Sequence, residues 1–211
     1  GQVRVDGAKV KAGHRLLPGQ MVRVPPLEAQ AAKPARKRPN NQQKTVSEQD
    51  AKELLGRILH QDRSVLVLDK PAGLAVQGGS GTTRHVDGML GALRFDAAER
   101  PRLVHRLDRH TSGVLVLART VAAARWLTAA FRAKETTKVY WAVVVGDPQP
   151  DRGTIELPLA KRSAGSAGEK VVVDRREGKR AVTEYAVIER LGTKAAWVAL
   201  RPVTGRTHQL R

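Results

Sequence analysis

His105-Arg106-Leu107-Asp108-Arg109-His110-Thr111-Ser112-Gly113 runs directly into Val114-Leu115-Val116-Leu117-Ala118. The second half is a short apolar run, which reads as a strand buried on both faces. The first half sets a single carboxylate, Asp108, among arginines and histidines, with Thr-Ser-Gly just behind it. A charged loop abutting a buried strand is held rigidly at the edge of a core, where sites are built. A surface turn whose acid pairs with neighbouring cations gives the same pattern. The rest of the chain has to separate the two.

Upstream, Val65-Leu66-Val67-Leu68 is a second buried strand, running into Asp69-Lys70-Pro71-Ala72-Gly73. Gly73, Gly78, Gly79 and Gly81 let the next loop approach a ligand closely. That loop has neither the Gly-Lys-Ser/Thr of a phosphate-binding loop nor the third glycine of a dinucleotide fingerprint, so no nucleotide cofactor is expected. Ser47 starts a helix with Asp50 as capping partner, and Leu54, Leu55, Ile58 and Leu59 form its apolar face. Residues 86–93 and 122–133 read as helices, the second with Trp126, Leu127 and Phe131 turned inward. Strands are expected over 137–145, 155–159, 170–173, 181–188 and 195–200. The expected fold class is α+β, a mainly antiparallel mixed sheet flanked by helices and loops.

Residues 1–26 hold short β-like pieces, with Asp6-Gly7 as a tight-turn signal and Pro25-Pro26 as a stop. Two short strands cannot bury a core alone, so either chain is expected before Gly1 or this piece docks elsewhere. Residues 27–46, rich in Ala, Pro, Gln, Asn and Lys, read as a flexible basic linker. Residues 47–211 form the main domain. It closes on the dense polar stretch Thr204-Gly205-Arg206-Thr207-His208-Gln209-Leu210-Arg211, and further residues are expected beyond it.

Lys and Arg number 38 against 20 Asp and Glu, a formal charge of +18, and such an excess points to a polyanionic partner. Nucleic acid is favoured over membrane, because no apolar run approaches the roughly 20 residues that span a bilayer. Apolar residues make up 41% of the chain, enough for a folded protein. There is no cysteine, which excludes disulfides, thiolate metal sites and cysteine nucleophiles and suits a reducing cytoplasm.

His105, Asp108, His110 and His208 lack the spacing of a metal site, and arginines this close repel a dication, so no metal is expected. Ser112 lacks the Gly-x-Ser-x-Gly elbow of a serine nucleophile. A carboxylate remains. It is ionised at neutral pH and can attack a sugar carbon to form a covalent intermediate. In a chain this basic the sugar belongs most naturally to RNA, and chemistry on a base inside folded RNA requires the nucleotide to be flipped out. Phosphate contacts and an aromatic face offset that cost. Aromatic residues are only 3% of the chain, which singles out Tyr140, next to Lys138, as a stacking face. An ordinary half-buried strand tyrosine is the competing reading.

His105-Arg106-Leu107-Asp108 with Thr111-Ser112-Gly113 closely resembles the active-site motif of the pseudouridine synthases that modify ribosomal and transfer RNA. Lys138-Val139-Tyr140 resembles the tyrosine motif of that family, and Gly205-Arg206-Thr207-His208-Gln209-Leu210-Arg211 its third motif. Lys70-Pro71-Ala72-Gly73 matches the first. The resemblance covers about residues 50–211, and Gly78-Gly79-Ser80-Gly81, Ala160-Lys161 and Lys170-Val171-Val172-Val173 narrow it to the large-subunit type acting on 23S ribosomal RNA. Val3 to Gly7 with Leu17 to Val24 resembles the C-terminal half of an S4 domain, a small RNA-binding module.

The resemblance implies that Asp108 is the nucleophile that detaches uracil from its ribose so that the base can rejoin through carbon. The sequence leaves open whether Asp108 attacks the sugar or acts by another route. It further implies that Tyr140 stacks on the flipped base and assists proton removal, and that Arg211 pairs with Asp108 and orients it. Arg106, Lys138 and Arg206 are the expected RNA-binding residues, Arg106 filling the space the uridine leaves. His105 and His208 are read as structural, and Gln77 stands where relatives often carry histidine. The implied enzyme needs no cofactor, acts on 23S ribosomal RNA in preference to transfer RNA, and works as a cytoplasmic monomer. A non-catalytic RNA-binding or ribosome-assembly factor is the alternative.

Overall fold

The computed structural model describes residues 3–10, 13–24, 47–79, 82–133, 135–163 and 169–211, in two compact units that divide between Thr45 and Val46. The expected linker, 27–46, and the pair Ser80-Gly81 lie outside the described residues.

In the N-terminal unit, strands β1 (Arg4–Val5), β2 (Ala8–Lys9) and β3 (Val22–Arg23) pair antiparallel in the order β2-β1-β3. Asp6 and Gly7 both have positive φ, 48° and 83°, the backbone a two-residue hairpin turn requires. The Asp6 carboxylate accepts from the Met21 amide at 2.9 Å and from the Gln20 side chain at 3.0 Å, tying the turn to β3.

The second unit is built on two strands, β5 (Val65–Lys70) and β7 (Gly113–Ala118). Their register sets Leu66 opposite Leu117 and Leu68 opposite Leu115, and all four side chains are fully buried. The other face is only partly covered, with Val114 exposed, so these strands are one-sided rather than buried on both faces. Alternation within each strand makes that possible, since successive side chains leave on opposite faces. Strands β4 (Ile58–Gln61) and β6 (Arg102–Leu103) complete an antiparallel sheet in the order β4-β5-β7-β6.

Helix α1 (Glu48–Leu55) starts as its sequence implies, with the Ser47 hydroxyl accepting from the Asp50 amide at 3.0 Å. The helix stops at Gly56, so Ile58 and Leu59 open β4 instead of extending the apolar stripe. Leu54 is buried in the core, whereas Leu55 and Leu59 are exposed. Helix α2 (Val86–Met89) and a 3₁₀ turn, Leu90–Leu93, lay Val86, Met89, Leu90 and Leu93 on the leucine layer. Helix α3 (Val121–Ala133) buries Leu127 and Ala130. Trp126 does not face inward: it is 70% exposed, because a residue adjacent to Leu127 is turned about 100° around the helix from it.

A second antiparallel sheet follows, formed by β8 (Tyr140–Val145), β9 (Arg152–Ser163), β10 (Glu169–Val173), β11 (Lys179–Leu191) and β12 (Ala195–Pro202) in the order β10-β9-β11-β12-β8. The α+β class holds, with two sheets in place of one. Among the described residues the named ladders are all antiparallel, and parallel pairing is confined to an isolated bridge between Ala75 and His85. Tyr140, first residue of β8, packs against the leucine layer of the other sheet.

Candidate active site

The loop from β6 to β7 alternates as a strand would. His105 is largely buried and Leu107 is part of the core, while Arg106 is exposed and Asp108 half-exposed. His105 stacks on Phe131 of α3 with centroids 4.4 Å apart, and its Nε2 accepts from the Val116 amide of β7 at 2.9 Å. An accepting Nε2 places the ring proton on Nδ1. Burial, helped by the charge of Lys138, holds the ring pKa down at about 4, so His105 is neutral. It anchors the loop. Gly113, at φ +113°, turns the chain into β7 in a backbone conformation that side chains rarely tolerate.

The other side of the loop is held by Lys70, at the end of β5 and fully buried. Its ammonium donates to the carbonyls of Pro71 and Leu74 at 2.8 Å each and to that of Arg109 at 3.3 Å. Gly73 and Arg109 add a reciprocal pair, the Gly73 amide donating at 2.8 Å and the Arg109 guanidinium returning a bond at 3.0 Å. Burial pulls the Lys70 pKa down, and the negative charge of Asp108 opposes that pull. A buried cation therefore ties the Asp108 loop, through the Arg109 carbonyl, to the 71–74 turn, through two more, and also acts electrostatically on Asp108. The sequence singled out Lys70 only as part of a motif. The missed signal was a lysine closing a strand of buried leucines.

Tyr140 reaches the same place from the second sheet. Burial raises its pKa, and the Asp108 charge raises it further, so the phenol is protonated at neutral pH beside a carboxylate. Lys138 lies just before β8, half-buried, close enough for its charge to act on His105. Arg106 donates to Gln77 through a long hydrogen bond of 3.4 Å, spanning from the Asp108 loop to the glycine-rich one.

The third motif is fastened to β11 by Gln209. Its amide nitrogen donates to the Val182 carbonyl and to Thr183 Oγ1, each at 2.9 Å, and its oxygen accepts from the Thr204 hydroxyl at 2.8 Å and the Arg206 amide at 2.9 Å. Arg206 spends its Nε on the Arg180 carbonyl at 2.9 Å, so part of an expected RNA contact is structural. The expected pairing of Arg211 with Asp108 is not made: among the described residues Asp108 has no ion pair with an arginine. His208 stands there instead, Nε2 4.0 Å from Asp108 Oδ2. The reason is local. His208 has φ +51°, and the chain closes a tight turn in which the Arg211 amide donates to the His208 carbonyl, leaving the imidazole nearest the carboxylate. His208 was read as structural from sequence, and the structure makes it the nearest imidazole to Asp108. The four motifs thus converge on one carboxylate, with a neutral phenol and an imidazole beside it.

A family model described as RNA pseudouridylate synthase matches residues 64–211. The chain belongs to this family. It is 40% identical, over its whole length, to the ribosomal large subunit pseudouridine synthase C of Escherichia coli (strain K12), covering 63% of that protein. It is 41% identical over 78% of its length to RNA pseudouridine synthase 4, mitochondrial, of Arabidopsis thaliana, covering 39% of that protein. Among solved structures it resembles human RNA pseudouridylate synthase domain containing 4, with 36% identity, a TM-score of 0.64, and coverage of 76% of this chain and 64% of that one. The chain therefore spans less than two thirds of the length of these relatives. The matched region includes all the motifs that meet at Asp108, so the site described above lies within the pseudouridine synthase domain.

Proposed function

We propose that this chain isomerises uridine to pseudouridine in RNA, with Asp108 as the nucleophile, and that its substrate is the 23S RNA of the large ribosomal subunit. The observation that carries the reading is the meeting of an ionisable carboxylate, Asp108, with a protonated phenol, Tyr140, on a loop held from beneath by the buried Lys70. In the reaction the bond from uracil N1 to the sugar breaks, the base turns, and its C5 bonds the same sugar carbon. The C5 proton leaves, and N1 ends protonated, so the product is an isomer. Asp108 bonds to the sugar or the base as the N1 bond breaks and is released as C5 bonds the sugar. Tyr140 stacks on the flipped base and relays the C5 proton by passing its own hydroxyl proton on, and Arg106 occupies the gap in the RNA. Relatives named for the large ribosomal subunit match along the whole chain, which supports ribosomal over transfer RNA. The three-stranded N-terminal unit, with its S4-like sequence, adds a second RNA contact.

The test is tritium release from 23S RNA labelled at uridine C5. Intact protein should release tritium without added metal or cofactor, and Asp108→Asn should abolish release while RNA affinity stays nearly intact. Tight RNA binding with no release by the intact chain would leave an RNA-binding factor. A slowing of only a few-fold in Asp108→Asn would exclude Asp108 as nucleophile.

A further inference from the structure

Helix α3 presents to solvent a face that neither the core nor the catalytic loop uses. Val121, Ala124, Arg125, Thr128, Ala129 and Arg132 follow one another at helical spacing along a shallow groove whose far wall is Arg102 of β6. The floor is small side chains, which allows a backbone to come close. The rims are arginines. Arg125 and Arg132 stand about 10 Å apart along the helix axis. Among the described residues neither makes an ion pair or a side-chain hydrogen bond, although many other arginines here, among them Arg84, Arg162 and Arg190, are paired with carboxylates. The helix itself carries no acidic residue. Flanking this stripe, Trp126 is 70% exposed, an unusual place for so large an apolar ring. The opposite side of the helix is already spent on the core through Leu127 and Ala130, and Phe131 fixes it to His105 at the root of the Asp108 loop.

Free arginines at intervals, a smooth floor between them and an exposed indole alongside are the requirements for gripping a single-stranded stretch of nucleic acid: phosphates on the cations, one base on the ring. A membrane surface would need an apolar face, and the one this helix has is buried. We propose that the outer face of α3, with Arg125, Arg132 and Trp126, is a second RNA-binding surface of the catalytic unit that grips single-stranded nucleotides flanking the target uridine. This rests on the synthase reading above and adds to it a place where the substrate is held apart from the reacting base.

Binding of a 23S RNA fragment to the full chain, measured across salt concentration, tests the surface, with tritium release followed in parallel. Losing two single-strand phosphate contacts in Arg125→Gln/Arg132→Gln should reduce the slope of log affinity against log salt by about 1.4. Trp126→Ala should weaken affinity about 5- to 150-fold, the range for one lost base stack. Neither variant should alter release at saturating RNA. All three side chains are exposed and outside the core, so thermal unfolding should match the parent, and Trp126→Phe should recover most of the lost affinity. If both variants bind RNA as the parent does while release is normal, the surface is refuted and the synthase reading stands. If the parent releases no tritium but these substitutions still lower RNA affinity, the surface stands and the synthase reading falls.

Discussion

Lowering the pH from 7 to 5 should remove about 2 kcal/mol of folding stability through one side chain, His105. In the native state its pKa lies at about 4, against an ordinary 6.5, because the ring is buried and faces the charge of Lys138. The unfolded chain takes up a proton as pH drops through 6.5, while the native ring refuses it until about 4. The unfolded state therefore binds more protons in that window, and stability rises with pH across it. The contribution is present in full above 6.5 and is lost as pH falls toward the native value. Integrated from pH 7 to pH 5, the linkage amounts to about 2 kcal/mol. The geometry gives the same sign, since protonating Nε2 would set a donor against the Val116 amide that now donates to it. Urea unfolding at pH 5, 6 and 7, for the parent and for His105→Gln, isolates the effect, because glutamine can still accept from Val116 but does not titrate. Carboxylates common to both proteins cancel in the difference. Over that range the parent should lose about 2 kcal/mol more than the variant. Parallel losses in the two proteins would refute the argument that His105 is held neutral by burial.

Lys70→Met should keep the buried volume but leave the Pro71 and Leu74 carbonyls without their donor, while the Arg109 carbonyl keeps the Gly73 amide, destabilising the fold by on the order of 3 kcal/mol in urea unfolding; an unchanged midpoint would mean that water or a shifted loop replaces the ammonium. Tyr140→Phe should bind RNA like the parent yet slow tritium release by about 10²- to 10⁴-fold, as expected if the hydroxyl moves a proton. Tyr140→Ala should lose affinity as well, separating the ring from the hydroxyl. Gly178→Ala should destabilise the β10–β11 connection by about 2 kcal/mol, because the added methyl would press on the Asp174 carbonyl and the backbone of Pro158, neither of which can swing aside; a shift within the error of the melting temperature would show that the turn can open.

Ser47 as a helix cap, Asp6-Gly7 as a hairpin turn and the leucine strands were all legible from the sequence because each depends on residues within a few positions of one another. The family was legible for a related reason. A lone carboxylate in a basic chain without cysteine restricts the chemistry, and its flanking motif, with the tyrosine and terminal motifs behind it, points to the family. Local pattern failed where a neighbour from elsewhere in the chain competes. The apolar stripe of α1 runs on in sequence through Ile58, but Gly56 ends the helix and β5 claims residues 58–61 as a strand partner. Trp126 belongs by composition to a core, yet Leu127 and Ala130 already fill the side of α3 that faces it.

Residues 105–113, read with the motifs at 70–73, 138–140 and 205–211, single out Asp108, because reactivity is a property of a side chain and motifs are local patterns along the chain. Tertiary structure decided what surrounds that carboxylate. It placed His208 rather than Arg211 nearest to it, buried Lys70 under its loop, and brought Tyr140 across from the other sheet. Burial and partner choice depend on which distant segments the two sheets press together, and alternation along a strand specifies a face without specifying what will cover it.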